Sequence, residues 1–163
     1  MSTQPETAVR LEDLSPCFEG IIPAAICTVA NDGTPNITYL SVVHRVDADH
    51  VALSKQFFNK TERNTDINPY AQLLLIDPMT GAYYQLDLEY ERTDTEGPFF
   101  DKMKLNLDAV AAHEGMTNVF KLRGTDICRV TAARRLAGHP IGGGGRRDVQ
   151  LDLMEDYSRQ IAQ

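Results

Sequence analysis

The residues best suited to chemistry lie in one polar stretch, residues 55–64. Lys55 ends an apolar segment that reads as a strand, and the sequence NKTERN follows at residues 59–64, where a short helix is predicted to start. Free N–H groups at a helix start, together with the helix dipole, attract anions. Cations and neutral donors strengthen such a site, and this stretch supplies Lys60, Arg63, Asn59 and Thr61. The pattern therefore indicates a pocket for a phosphate group.

The same residues also fit a plainer interpretation, a solvated helix start whose charges pair on the surface. Arg63 could pair with Glu62, and Lys60 with Asp66. The chain as a whole is acidic, with 23 acidic and 16 basic residues and a formal net charge of −7. That balance disfavours nucleic acid, which needs an extended basic face, but it is compatible with a small anion that needs only a few donors. Both interpretations stay open at this stage.

Other arrangements of reactive residues are weak. The chain has no GxSxG motif, and its 4 histidines lack HxxxH or HExxH spacing, so neither a nucleophilic triad nor a metal site is indicated. The three cysteines, Cys17, Cys27 and Cys128, have no CxxC spacing and are expected to be reduced, mostly buried thiols. The glycine run at residues 142–145 lacks the GK[ST] ending of a phosphate loop and is interpreted as a linker.

Short strands and tight turns dominate the elements that must position the polar stretch. The pattern predicts six strands, over residues 22–30, 36–46, 50–58, 71–78, 82–93 and 118–136. It also predicts a helical turn and two helices, over residues 10–20, 61–68 and 98–112. Gly124 in the last strand indicates a bulge or a close backbone approach. The prediction is a mainly β chain whose antiparallel strands close as a small barrel with flanking helices, because closure removes exposed edges.

The length of 163 residues suits one β domain, predicted over residues 10–136, after a flexible N-terminus at residues 1–9. A Gly-rich linker is predicted over residues 137–147, followed by an amphipathic helix over residues 148–163. The first residues lack the basic start and apolar block of a signal peptide, and no apolar run approaches the roughly 18 residues of a membrane span. We therefore expect a cytoplasmic protein that does not bind a membrane.

The order of these features resembles the pyridoxamine 5'-phosphate oxidase-like FMN-binding split barrels. The resemblance rests on the segments IPAAICTVANDGTPNITYLS and VALSKQFFNKTERNTDINPYAQLLLIDP, with Gly33-Thr34-Pro35 at the first turn and Asn68-Pro69 after the short helix. It covers roughly residues 20 to 130. It implies a six-stranded antiparallel split barrel, FMN as the cofactor, and a homodimer with two FMN molecules at the interface.

The resemblance also implies the site residues. The second strand is expected to pass the isoalloxazine ring, mostly through backbone contacts, at Tyr39, Leu40, Ser41 and Val42. The third strand is expected to approach the ribityl chain or phosphate with Lys55 and Gln56. Relatives usually carry Ser-Arg-Lys around the phosphate, where this chain has Asn59, Lys60 and Thr61. This triplet has one charge fewer, which Arg63 or Lys55 would restore. No catalytic side chain is identified, since the flavin itself carries the redox chemistry.

The function implied by the resemblance is an FMN-dependent oxidoreductase acting on an unidentified small molecule. The vitamin-processing oxidases hold their substrate with a C-terminal Arg and His, and this chain offers only His139 there, so oxidation of pyridoxine phosphate is not expected. One alternative is a flavin- or haem-binding sensory module without turnover, in which His44 is a candidate iron ligand. Another is a barrel that has lost its cofactor pocket. FMN and a deazaflavin also remain alternatives.

Overall fold

A computed structural model gives the fold of residues 9–56, 59–113 and 121–136. It confirms the mainly β prediction, with seven strands in one antiparallel sheet. The strands are β1 (Ala24–Val29), β2 (Pro35–Leu40), β3 (Val43–Arg45), β4 (His50–Lys55), β5 (Tyr70–Ile76), β6 (Tyr83–Asp94) and β7 (Gly124–Arg135). A 3-10 helix (Leu11–Phe18) precedes them, and two α-helices are α1 (Asn59–Ile67) and α2 (Pro98–His113).

Part of the predicted organisation lies outside the described residues, namely most of the N-terminal segment 1–9, the linker over 137–147 and the helix over 148–163. The boundaries of the predicted 10–136 domain stay a prediction. Within the described ranges, neither α-helix has the length and apolar character needed to cross a membrane.

The sheet curls because its two edge strands are consecutive in the chain. The strand order is β2-β1-β5-β6-β7-β4-β3, and only Ser41 and Val42 separate β2 from β3. One edge must therefore come round to meet the other, and β2 also contacts β4. The result is a split barrel, as expected, in which the chain itself links the two edges.

The predicted single strand over residues 36–46 is wrong, and this accounts for seven strands where six were expected. Leu40 still pairs with Ala24 of β1, whereas Val43 pairs with Leu53 of β4. The chain changes partner between them, and the ladder of β1 and β2 cannot continue through that change. The Val42 N–H donates to Ser54 Oγ (3.3 Å), and the Ser54 N–H donates to Val42 O (3.1 Å).

Apolar side chains fill the barrel and one of its outer faces. The interior contains leucines of β5 and β6 that are at most 1% exposed: Leu73, Leu75, Leu86 and Leu88. The 3-10 helix adds Leu11, Leu14, Cys17 and Phe18 to this core. Helix α2 lies against β4 and β7, where Met103 and Leu107 pack with Ala52 and Ile127. The apolar residues of α2 recur at helical spacing and are buried at Met103, Leu107 and Ala111, and burying each large side chain of this kind stabilises the fold by about 1.5–3 kcal/mol.

Two local predictions near the polar stretch have different outcomes. Helix α1 begins at Asn59, so Thr61 lies inside its first turn and the predicted start at residue 61 is wrong. The close approach predicted at Gly124 is confirmed, since a Cβ there would lie 2.6 Å from Thr93 Cγ2. The irregularities in the β6–β7 ladder lie elsewhere, between Asp87 and Leu88 and near Tyr90.

Candidate functional site

Helix α1 covers one end of the barrel, which we call the barrel mouth and define by Thr28 of β1, Asn36 of β2, Lys55 of β4 and Asp126 of β7. The helix reaches both sides of this mouth. Its side toward β1 and β2 makes hydrogen bonds through Thr61 and Asn64, and its side toward β4 makes an ion pair through Glu62. The polar stretch identified in the sequence is therefore anchored to three strands.

The neutral side of the barrel mouth is a buried hydrogen-bond network. Asn64 Nδ2 donates to Thr28 Oγ1 (3.0 Å), and Asn36 Nδ2 lies within hydrogen-bond distance of both Thr28 Oγ1 (3.3 Å) and Thr61 Oγ1 (3.1 Å). Thr28, Thr61 and Asn64 are at most 6% exposed. Buried polar groups of this kind hold a structure when they are satisfied. The Thr61 side chain, predicted to bind phosphate, is thus engaged with the barrel.

The charged side of the barrel mouth is centred on Lys55. Lys55 Nζ lies 2.8 Å from Glu62 Oε1 and 3.9 Å from Asp126 Oδ1, and its side chain is only 13% exposed. Burial opposes its charge, but the hydrogen bond from Lys55 to Glu62 and the charge of Asp126 outweigh burial and raise the pKa of Lys55. The same hydrogen bond lowers the pKa of Glu62. Lys55 is therefore a charged lysine whose charge is balanced by two carboxylates.

Asp126 extends this charged side into β6. Burial raises the pKa of Asp126, although a hydrogen bond from Thr93 and the charge of Lys55 oppose that effect. Thr93 Oγ1 is 2.5 Å from Asp126 Oδ1, and Tyr90 Oη is 2.8 Å from Thr93 Oγ1. The chain Lys55–Asp126–Thr93–Tyr90 therefore joins three neighbouring strands through polar contacts.

The predicted ring-side residues lie at the point where β2 gives way to β3. Leu40 and Val42 are at most 4% exposed, Ser41 is half-buried, and Tyr39 is 76% exposed. The hydrogen bonds between Val42 and Ser54 continue the β3–β4 register. Two further steps along that register would bring Gln56 opposite Leu40, and β2 and β4 do contact each other. We call this region, Tyr39–Val42 together with Gln56, the strand junction.

Gln56 is the unusual residue of the strand junction. It is 4% exposed, yet its side-chain Nε2 has no hydrogen-bond partner among the residues that the structure describes. Leaving a buried donor unpaired costs about 1–3 kcal/mol. A buried donor of this kind calls for an explanation, and a bound water or a ligand is one.

The remaining predicted phosphate residues lie at the start of α1. Lys60 and Arg63 are both exposed. Hydrogen bonds from Thr34 lower the pKa of Asp32 in the turn between β1 and β2, and the charge of Lys60 adds a smaller contribution in the same direction. The side chain of Asn59 falls outside the described part of the structure. Of the predicted site residues, Tyr39–Val42 lie where β2 gives way to β3 and Gln56 directly follows β4, while Lys55 and Thr61 have partners in the barrel mouth.

His44, the candidate iron ligand, lies under α2. It is 5% exposed, and its Nε2 lies 3.2 Å from Asn106 Nδ2. Burial and the charge of Lys102 lower its pKa. An iron ligand there would require α2 to move. Within the described ranges, no group of three or more His, Cys, Asp or Glu side chains is placed to hold a metal ion.

Several residues of the site were missed by the sequence analysis. Thr28 and Asn36 face each other in the register of the β1–β2 hairpin, so the turn at residues 31–33 carried enough information to pair them. Asn64 and Asp126 carried no local signal, because their partners are 36 residues away in the case of Asn64 and on other strands in the case of Asp126.

The curled antiparallel sheet, with helix α1 over its mouth and two edge strands that are consecutive in the chain, defines a protein of the split β-barrel class. A family model described as pyridoxamine 5'-phosphate oxidase matches residues 12–128. The chain belongs to the pyridoxamine 5'-phosphate oxidase family, and the suspected relationship is confirmed.

Solved structures with this fold include proteins of several kinds. An FMN-binding protein from Syntrophomonas wolfei has a TM-score of 0.64 and 17% identity, covering 79% of this chain and 89% of that one. HupZ from Group A Streptococcus has a TM-score of 0.58 and 20% identity, covering 82% and 99%. An F420 reductase has a TM-score of 0.52 and 20% identity, covering 82% and 97%. No curated protein matches the chain in sequence. These likenesses establish the fold.

Proposed function

We propose that the chain binds FMN, with the ring system at the strand junction and the phosphate at the first turn of α1. The observation that carries the proposal is the buried amide of Gln56, whose Nε2 has no partner among the described residues. The carbonyl and ring nitrogen atoms of a flavin are acceptors that suit such a donor. Membership of the family and the likeness to an FMN-binding protein support the same choice.

The residues around the strand junction fit a flavin in size and chemistry. Tyr39 offers an exposed aromatic surface, and the backbone at Ser41 has left the β1–β2 ladder, so its polar groups are available to a ligand. At the phosphate end, exposed Lys60 and Arg63 supply two cations near the N–H groups of the first turn of α1. In this proposal Arg63, and not Lys55, restores the charge that the Asn-Lys-Thr triplet lacks.

We further propose that the protein is an oxidoreductase acting on a small molecule. FMN, when bound, supplies the redox chemistry, and the protein binds and orients it and excludes water. The chain then needs no acid or base of its own, which agrees with the absence of a catalytic motif from the sequence. A flavin-binding module without turnover is the second candidate, because the same site would serve it.

An absorption spectrum of the purified protein, before and after denaturation, tests the cofactor. We expect flavin bands, and FMN in the released fraction. Bleaching by a reduced nicotinamide would favour the oxidoreductase, whereas a flavin that no donor reduces would favour the module. Release of a deazaflavin, or a Soret band from haem, would mean that the protein binds that cofactor and not FMN. A colourless protein that does not bind added FMN would refute the proposal.

Lys60→Ala tests the phosphate end of the site. A charge-assisted hydrogen bond to phosphate contributes about 1.5–3 kcal/mol, so FMN affinity should fall roughly ten- to a hundredfold. Flavin fluorescence quenching measures the dissociation constant. Lys104→Ala, an exposed lysine of α2 paired with Asp108, is the matched control and should leave the affinity unchanged. Equal affinities for wild type and Lys60→Ala would remove Lys60 from the site.

We also propose that the protein works as a homodimer through the outward face of β2. Ile37 is 73% exposed and Tyr39 76%, and both belong to an edge strand. Their neighbours on this face, Ala25 and Cys27 of β1, are small and half-buried. Adjacent exposed apolar residues on an edge strand are a liability unless another surface covers them. Since Tyr39 belongs to the strand junction, such an interface would adjoin the flavin site.

Ile37→Glu tests this interface. A charge in the middle of the apolar face should dissociate the dimer, which light scattering after size-exclusion chromatography measures as a halved mass. FMN affinity should fall with it if the partner completes the pocket. Leu105→Glu on the exposed side of α2 is the matched control, since Leu105 is 69% exposed. A wild-type monomer would refute the homodimer.

A further inference from the structure

Lys55 has a place in the structure that does not suit a phosphate ligand. Its Nζ lies 2.8 Å from Glu62 and 3.9 Å from Asp126, and its side chain is 13% exposed. It shares the interior side of β4 with Val51 and Leu53, whose side chains belong to the barrel core. A dianionic group at Lys55 would have to displace one carboxylate and approach another. The phosphate and the remaining carboxylate are both negative and would lie on the same ammonium group, where their repulsion is strong because the site is partly buried.

The ion pair between Lys55 and Glu62 does connect β4 to the first turn of α1. Glu62 is the fourth residue of this helix, and Thr61 beside it is held by Asn36 of β2. The first turn is thus fastened on two sides, by a charged contact to β4 and by a neutral contact to β2. A helix start fixed in this way keeps its free N–H groups in one orientation, and a site that is already ordered binds its ligand more tightly.

We propose that Lys55 and Glu62 are positioning residues, which hold the first turn of α1 in the orientation that binds the phosphate of the flavin without touching that phosphate themselves. The inference rests on the proposed function, because it concerns the same site. Charge alone would predict tighter phosphate binding when the negative charge of Glu62 is removed. The positioning role predicts weaker binding instead.

The experiment compares FMN and riboflavin, which differ by the phosphate. Dissociation constants are measured by fluorescence quenching for the wild type, Glu62→Ala, Lys55→Met and the double variant. The matched control is Asp66→Ala, which removes the same charge from an exposed position one turn further along α1. We expect Glu62→Ala to weaken FMN binding about five- to tenfold, because it breaks a charged contact whose lysine side chain is only 13% exposed, and to change riboflavin binding less than about twofold.

The other variants complete a double-mutant cycle. Lys55→Met should weaken FMN binding at least as much as Glu62→Ala, since it also leaves Asp126 without its cation, and the double variant no more than Lys55→Met, because both changes break the Lys55–Glu62 contact. Asp66→Ala should leave FMN binding unchanged or slightly tighter. Thermal unfolding of each variant without flavin shows that it is folded, and Lys55→Met tests the same contact if Glu62→Ala does not fold.

The possible outcomes are distinct. Tighter or unchanged FMN binding in Glu62→Ala, with weaker binding in Lys55→Met, would make Lys55 a direct phosphate ligand and overturn the inference. Equal losses for FMN and riboflavin would mean a general structural effect and would overturn it too. A wild-type protein that binds neither flavin would overturn the proposed function itself, and the inference with it.

Discussion

At the barrel mouth, the buried side chains of Thr28 and Asn64 are hydrogen-bonded to each other, whereas at the strand junction the equally buried Gln56 has an amide nitrogen without a partner among the described residues. Thr28 is 1% exposed, and Asn64 and Gln56 are both 4% exposed, so burial does not distinguish them. The difference is that Thr28 and Asn64 have hydrogen-bond partners, whereas the amide nitrogen of Gln56 has none among the described residues. At the barrel mouth, polar side chains are hydrogen-bonded to helix α1 and hold it in place. At the strand junction, the Gln56 amide makes no such contact within the described residues. The polar residues of the barrel mouth thus have a structural use, whereas for Gln56 we propose a binding use.

The largest effect is expected from breaking the network at the mouth. Asn64→Ala removes the donor to Thr28 Oγ1, and a loss of this kind in a buried network costs about 1–3 kcal/mol. Urea unfolding of the protein without flavin measures the change in the free energy of unfolding. Thr65→Ala, which removes a hydroxyl bonded only within α1, is the control and should cost less. Equal losses in the two variants would mean that the network adds little.

An effect of opposite sign is expected at the junction. Gln56→Leu replaces the unpaired amide with an apolar side chain of similar size, so the protein without flavin should gain about 1 kcal/mol in its free energy of unfolding. FMN affinity should fall by about tenfold, since the donor is gone. The same urea unfolding and fluorescence titrations measure both quantities. A less stable variant that binds FMN normally would show that Gln56 has a structural partner and no ligand.

The smallest effect is expected in the pH dependence of stability, through the buried residue His44. Burial lowers the pKa of His44 below its ordinary value of 6.5, so the unfolded chain binds a proton there more readily than the folded protein. By linkage, the stability that His44 contributes is complete above pH 6.5 and is lost as the pH falls below it. Melting temperatures between pH 7 and pH 5 should therefore fall less steeply in His44→Gln than in the wild type.

His50 provides the control for this measurement, because its shift has the opposite sign. A hydrogen bond to Asp47 raises the pKa of His50, so its contribution is complete below pH 6.5 and is lost as the pH rises through the folded pKa. His50→Gln should therefore make the loss of stability on acidification steeper. Parallel pH profiles for the two histidine variants would contradict both assignments.

Local periodicity predicted most of the fold. The alternation in β6 placed Leu86 and Leu88 on the buried face, and both are at most 1% exposed. The stripe of α2 likewise selected Met103 and Leu107, because a period of 3.6 residues suffices to choose the buried side of a helix. The break at Ser41–Val42 was not predictable in this way, since both residues are compatible with a strand. It arises from a change of strand partner, which is a property of the closed barrel.

The candidate site stays a prediction, but the structure shows which of its predicted side chains already have partners. The sequence predicted a polar turn and a short helix after β4 but started α1 two residues late, and the resemblance made Lys55, Gln56 and Thr61 all cofactor-binding residues. The structure gives Lys55 and Thr61 partners within the barrel mouth and leaves Gln56 Nε2 unpaired among the described residues. Composition shows which donors are present, whereas only the tertiary structure shows which of them are already engaged. The site residues themselves stay a prediction.

The place of β7 in the sheet has a consequence for synthesis on the ribosome. Among the described residues this strand is the last of seven, but it lies between β6 and β4, and it pairs residues 50–55 with residues 124–129. While the chain is being made, the hairpin of β3 and β4 has no attachment to the β5–β6 hairpin through this ladder, and both present open edges that can pair wrongly. Barrel closure must therefore wait for almost the whole domain to emerge, and nascent chains arrested before residue 124 should be the species that most depend on chaperones.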